Sequence, residues 1–344
     1  MKFEFKKILS NKMIVIFFAV IFAAALVYFF HTVGTFADWG KYDPRNIQYE
    51  LDYIEKYNRQ SESSIKAAER IKAETSNVYK QRLSDRIITQ RENRRELMTG
   101  DNSGVMWFRL ALDDTYISLL PILFCILISA ELFCGDTRRS VFKFNFTSKN
   151  GRLALYRKKI LTLMILSAGA AVLYTAIQLA AVLPKYGLTE PNTPLQIYEN
   201  YASCAYNIGF SQFVFAAVGM RILCCWFMCF LTVCLALIFR SLIASTAASG
   251  AVFALLFVLY DRTLQFHGGT AVKATQYGLH HSLLKFSPVC LFNVNGYFVT
   301  SDYVNVFDYP VTELFFNLAV STLITAALAV LGGFLFQRKR RRLS

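Results

Sequence analysis

Charge is scarce in this chain of 344 residues: 17% are Asp, Glu, Lys or Arg, while 55% are hydrophobic. That balance excludes a disordered chain, which needs the reverse. Proline is scarce as well, at 7 residues, and none falls between positions 45 and 120, so nothing there interrupts a helix. No glycine-rich run ends in Gly-Lys-Ser or Gly-Lys-Thr. The nearest approach, Gly268 to Lys273, has the wrong spacing, so the sequence holds no cradle for nucleotide phosphates. His280 and His281 have no cysteine or carboxylate at metal spacing, which leaves a zinc site without ligands. Asp113 and Asp114 are adjacent and read as a solvated helix start rather than a catalytic pair.

What the chain does have is apolar length. Six stretches approach or exceed the roughly 20 residues needed to cross a bilayer: Met13 to Phe30, Tyr116 to Phe133, Ile160 to Leu183, Ile222 to Phe239, Leu242 to Tyr260 and Val311 to Phe336. The second is the weakest of the six, being short and carrying Pro121, which a spanning helix tolerates when neighbours satisfy the freed carbonyl. The first has a longer apolar core than a cleaved signal peptide and continues into bulky Tyr28, Phe29 and Phe30, so it reads as a retained span. The expected fold is therefore an all-α polytopic membrane protein with six transmembrane helices.

Basic residues orient it. With both termini on the cytoplasmic side, residues 1–12, 134–159, Arg240 and 337–344 lie inside and hold 18 Lys and Arg against the two acids Glu4 and Asp136. Cations gathered beside spans mark the cytoplasmic face. The formal net charge of +14 is thus placed against lipid headgroups rather than nucleic acid. Five cysteines lie in the apolar runs and Cys134 at an inner edge, where they pack as small hydrophobes. Cys204 and Cys290 fall outside, either as one disulfide or as two thiols.

Between spans one and two, residues 34–114 form a separate extracytoplasmic insertion with 14 charges of each sign. Its texture is helical: Ile47, Leu51 and Ile54 recur at helical spacing, and Glu55 with Arg59 is one of several acid-first i,i+4 pairs. Two or three helices are expected, with breaks at Gln60 to Ser64 and at Gly100 to Gly104. The insertion is either a vestibule or docking domain or a solvated spacer. The remainder, 115–344, carries spans two to six with outer loops at 184–212 and 261–310, the latter rich in aromatics suited to headgroup level. Within it, Ser282 to Phe298 reads as a re-entrant element, and Arg221 stands at the outer edge of span four, where its stem snorkels.

The inner loop 134–159 carries the most specific pattern. Glu131 ends an apolar span, where a carboxylate must face protein or the interface. Gly135 permits a sharp departure, and Asp136 or Thr137 can cap a short helix. Phe142 and Phe144 then alternate with polar residues as an interfacial segment does, before Arg152 and Lys159 lead into span three. This arrangement resembles the permease subunits of type 2 ATP-binding-cassette (ABC) exporters, on Glu131, Gly135, Arg152 and Lys159. Here Asp136 separates Gly135 from Thr137, where that family usually has Gly-Thr, and the family's usual Pro before the Arg is absent.

The resemblance implies a transport subunit without an ATPase site of its own. ATP and magnesium would be handled by partner ABC ATPase subunits, and a second permease, identical or not, would complete the unit. The loop residues Glu131, Gly135, Asp136, Phe142, Phe144, Arg152 and Lys159 would receive the ATPases' movement. The cargo implied is amphipathic, an antimicrobial or signalling peptide first, moved across the plasma membrane, in a bacterium. Small residues at Ala19 and Ala23 in span one and at Ser241, Ser245 and Ser249 in span five suit close helix contact, as pathway lining or as ordinary packing. A different class of function stays open beside it: a membrane scaffold or sensor whose outer module binds a partner, with a secondary transporter third.

Overall fold

The computed structural model describes residues 2–36, 44–93, 120–138, 151–186, 192–197, 201, 204–265, 286–292, 294–299 and 302–338. These are mostly helical. α1 (Lys2–Leu9) is a short amphipathic helix, followed at once by α2 (Lys12–Phe36). α3 (Pro44–Glu74) and α4 (Val78–Glu92) belong to the charged insertion. α5 (Leu120–Arg138), α6 (Gly151–Tyr186), α7 (Phe210–Phe239), α8 (Leu242–Gln265) and α10 (Glu313–Arg338) make the apolar body, with α9 (Gly296–Val299) a single turn. Four stretches are long and apolar enough to cross a membrane: Lys12–Val33, Leu153–Pro184, Phe210–Phe239 and Glu313–Arg338. Leu120–Gly135 and Leu242–Phe257 are apolar but shorter. The set is compatible with a multi-pass membrane protein.

α7 is the hub, with α5, α6, α8 and α10 all packed against it. Its most apolar stretch is 61% buried, against 28% for α2 and 22% for α10, so α7 is sequestered while the outer helices show their apolar sides. Val27 on α2, Leu323 and Phe334 on α10 and Ile243 on α8 are all more than half exposed, as suits helices solvated by hydrocarbon rather than water.

α7 begins twelve residues before the expected start of span four. Gly209 caps it: its N–H donates to Gln212 Oε1 at 3.2 Å and its carbonyl accepts from Phe213 N at 3.0 Å. It ends where Arg240 takes a left-handed conformation (φ 57°), which lets α8 start two residues later.

The insertion differs from expectation at one point. No break occurs at Gln60 to Ser64, because α3 runs straight through it. The Ser63 and Ser64 hydroxyls donate to the Gln60 carbonyl at 2.9 and 2.7 Å, satisfying themselves on the helix instead of unwinding it. The chain reverses at 75–77, where Asn77 Oδ1 accepts from Lys80 N at 3.1 Å and caps α4. A Lys72–Asp85 contact of 2.6 Å joins the two helices. The second expected break, at Gly100 to Gly104, lies outside the described residues.

α4 docks on the apolar body through a hairpin where the sequence suggests a loop up to 310 and the start of span six at Val311. β1 (Tyr303–Val306) and β2 (Tyr309–Thr312) pair antiparallel, Tyr303 opposite Thr312. Phe307 and Asp308 both have positive φ, 49° and 63°, as a two-residue turn of a twisted hairpin requires. Arg82 donates to the Asp308 carbonyl at 3.1 Å with its guanidinium over the Tyr309 ring, and Arg86 donates to the Pro310 carbonyl at 2.9 Å. Gln90 bridges Tyr303 and the Cys204 carbonyl. β2 passes into α10 without a linker. The described residues 286–292 and 294–299 include a 3-10 turn (Pro288–Phe292) and α9, with the turn packed against α7, α8 and α10; residues 282–285 and 293 of the expected re-entrant element lie outside the described residues.

Candidate functional site

The sequence pattern that carries the exporter resemblance surrounds the ends of α5 and α6, and the structure ties these ends together. Asn11 precedes the apolar run of α2, an N-cap position. Its Oδ1 accepts from Met13 N at 3.2 Å, and its Nδ2 donates to Glu131 Oε1 at the same distance. A carboxylate near the end of an apolar helix thereby gains a protein partner on another helix. Gly135 follows one turn later. A Cβ there would stand 3.0 Å from Glu131 Oε1, tighter than ordinary contact, so the glycine leaves room for the carboxylate to fold along the helix. It does not turn the chain, as expected from sequence: α5 continues through Asp136 to Arg138, because Gly135 is used for space and not for its backbone freedom.

On the other side of the loop, Lys159 is buried, with 1% of its surface exposed. Its Nζ donates to the Leu132 carbonyl at 2.6 Å and sits 5.1 Å from the Phe133 ring. A cation here also complements the carbonyl end of α5. One turn earlier, Tyr156 packs between Phe133 and Phe336 at ring separations of 6.1 and 5.6 Å and donates to the Ala329 carbonyl at 2.6 Å. It lies against Gly332 and Gly333 of α10. The facing ends of α5 and α6 are thus clamped to each other and to α10, and α5 is joined to α2. Asp136 falls in the last turn of α5 and Arg152 in the first turn of α6. Phe142 and Phe144 lie outside the described residues.

The small residues divide. Ser245 and Ser249 are buried, with Ser245 Oγ 3.7 Å from Cys134 Sγ and Ser249 Oγ donating to the Ser245 carbonyl at 2.7 Å. Ser241, Ala19 and Ala23 are not buried: Ser241 and Ala23 are exposed and Ala19 is exposed in the same manner. The stripe on α8 therefore serves packing inside this chain, and the alanines of α2 face outward. Cys204 and Cys290 are buried thiols, and no bridge joins them. Cys204 Sγ turns instead to the Tyr206 carbonyl at 3.5 Å, within its own loop. Beside it, burial pushes the Tyr206 phenol up to about 12, and burial also raises that of Tyr303.

Arg221 departs most from expectation. It does not snorkel, being only 2% exposed, since the earlier start of α7 draws it inside the bundle. Its Nη1 donates to Thr175 Oγ1 at 2.8 Å and Gln178 Oε1 at 2.5 Å, both on α6, and its guanidinium lies 5.1 Å from the Tyr174 ring.

Sequence reasoning misses Asn11, Tyr156 and Gly332. Only Asn11 has a visible signal, the Ser-Asn-Lys step before an apolar run. Among the described residues no group of three His, Cys, Asp or Glu is placed to hold a metal ion. No family model matches the chain, and comparison with curated proteins and with solved structures gives no match.

Proposed function

We propose that the chain is the permease subunit of an ATP-driven ABC exporter, with six spans and both termini cytoplasmic, in a bacterial plasma membrane. ATPase subunits supplied in trans bind ATP and magnesium, a second permease completes the unit, and the cargo is amphipathic. The observation that carries this reading is the double anchoring of the inner loop. Glu131 is held by Asn11, and Lys159 by the Leu132 carbonyl, so a push delivered at the facing ends of α5 and α6 reaches α2 as well. A receiving element for mechanical work needs that stiffness, because force spent on a loosely held loop moves nothing beyond it. The two shorter apolar helices stand where spans two and five are expected.

The test is reconstitution with an ABC ATPase, sought first in the neighbouring reading frame. Glu131→Ala and Gly135→Leu should insert normally yet uncouple ATP hydrolysis from export. Full coupled transport in both variants would remove the assignment of this loop.

A second reading, a sensor or scaffold, is favoured by one observation: α3 leaves Leu51 and Ile71 45% and 49% exposed, on opposite sides of a rod tied to the body through α4 and through Tyr53. A chain that recruits no ATPase, but binds a partner through α3, would support it.

A further inference from the structure

Among the described residues Arg221 is a charge without a counter-charge. At twelve residues into α7 its Cα stands about 16 Å along the helix axis from Phe210. α7 is about 45 Å long, so a hydrocarbon layer of about 30 Å centred on it places Arg221 roughly 9 Å below the outer edge. A buried cation at such depth is expensive and is normally paired. Among the described residues no carboxylate pairs with it.

Thr175 and Gln178 are neutral acceptors that orient the guanidinium, and both take hydrogens from Nη1. The Tyr174 ring offers its face. Nε, by contrast, is buried with no acceptor. Nε–H forms part of the guanidinium edge that matches a carboxylate or phosphate in bidentate fashion. A strut between α6 and α7 could be built from uncharged amides at far lower cost, so the charge itself calls for an explanation.

We propose that Arg221 is an anion receptor inside the bundle, taking the carboxylate or phosphate headgroup of an amphiphile whose tail lies along the apolar helices. This deepens the exporter reading and rests on it for the role of the bound molecule: the cargo is an anionic amphiphile, and a polycationic peptide is repelled. The Nε edge is enclosed in this conformation, so loading requires α6 and α7 to part at the level of Thr175, as a two-state bundle allows.

The test uses the full chain in phosphatidylcholine nanodiscs, without any ATPase, and equilibrium binding of labelled dodecanoate. One saturable site per chain is expected. Dodecyl phosphate should displace the label, and dodecanol and dodecyltrimethylammonium should not. Arg221→Gln should weaken binding about tenfold or more, and Arg221→Lys, which keeps the charge but loses the fork, should fall between. Equal binding by Arg221→Gln, or no saturable site in the unaltered chain, overturns the proposal. Displacement by inorganic phosphate at equal concentration overturns the amphiphile and assigns the site to a free anion. Should Arg221→Gln fail to fold, the competition series on the unaltered chain decides alone. Since no ATPase is present, failure here leaves ATPase coupling at the inner loop standing, and failure there leaves this binding result standing.

Discussion

Two neighbouring glycines of α10 should respond to the same substitution with opposite signs. A Cβ at Gly332 would stand 2.7 Å from Tyr156 Oη, closer than any relaxed contact, whereas one at Gly333 would stand 3.4 Å from Tyr156 Cε1. Tyr156 cannot swing aside cheaply, because its ring is wedged between Phe133 and Phe336 and its hydroxyl donates to the Ala329 carbonyl. Overpacking of this kind costs about 1–3 kcal/mol. Loss of the hydroxyl's hydrogen bond adds about 1 kcal/mol, and the better helix propensity of alanine returns about 1 kcal/mol. Gly332→Ala should therefore destabilise by about 1–3 kcal/mol, while Gly333→Ala should be neutral or stabilise by up to about 1 kcal/mol. Reversible unfolding of the reconstituted chain measures both. The decisive variant is Tyr156→Phe, which removes the clashing oxygen. In that background Gly332→Ala should lose most of its penalty, a coupling of about 1 kcal/mol or more. Equal effects at the two glycines, or a penalty undiminished by the loss of the hydroxyl, would refute the packing argument.

Alkaline titration should find the Tyr206 phenol ionising near 12, because burial resists the charged form. Its folded value lies above the unfolded one, so the stability it contributes is intact below about 10 and drains away as pH rises towards 12. Subtracting the absorbance titration of Tyr206→Phe from that of the unaltered chain isolates this phenol, and a difference curve centred near the ordinary tyrosine value of about 10 contradicts the expectation. Asn77→Ala should cost α4 about 1 kcal/mol, read as faster amide exchange over Val78 to Gln81 with α3 unchanged. Replacing Arg82 and Arg86 together by alanine should expose the hairpin of 303–312 to protease while leaving membrane insertion intact; an unchanged cleavage pattern would show that α4 does not hold it. Thiol labelling of single cysteines placed in α3 should occur from outside the cell only, and labelling from inside would reverse the orientation.

The apolar helices were legible because a stretch solvated by hydrocarbon must be apolar all along, a property composition reveals without any neighbour. The limits of α7 were not. Phe210 to Met220 alternates aromatic, small and polar residues as a loop at headgroup level does, and only the capping of Gly209 by Gln212 and the partners of Arg221 decide that it is helix. The false break in α3 has a related cause: serines favour both turns and helix-backed hydroxyls, and the choice lies in geometry that spacing does not encode. The hairpin at 303–312 was hidden for a third reason. Its turn holds Phe307 and Asp308 in place of the usual Asn-Gly, and its second strand carries Pro310, which fits an edge strand but looks like a helix start when followed by Thr312 and Glu313. Around the α5–α6 connection, Glu131, Gly135 and Lys159 stand out by pattern, while their partners Asn11 and Leu132 are remote in sequence, and a single sequence cannot pair them.

The direct passage of β2 into α10 makes that helix and the ribbon one mechanical part. Thr312 ends the strand and Glu313 begins the helix, so no slack joint absorbs motion between them. A twist of α10 about its own axis would carry the ribbon and, through Arg82 and Arg86, α4 with it, while α3 is held against the body where the Tyr53 hydroxyl donates to the Gln196 carbonyl at 2.8 Å. The charged helices and the apolar body are thus geared to each other through one ribbon.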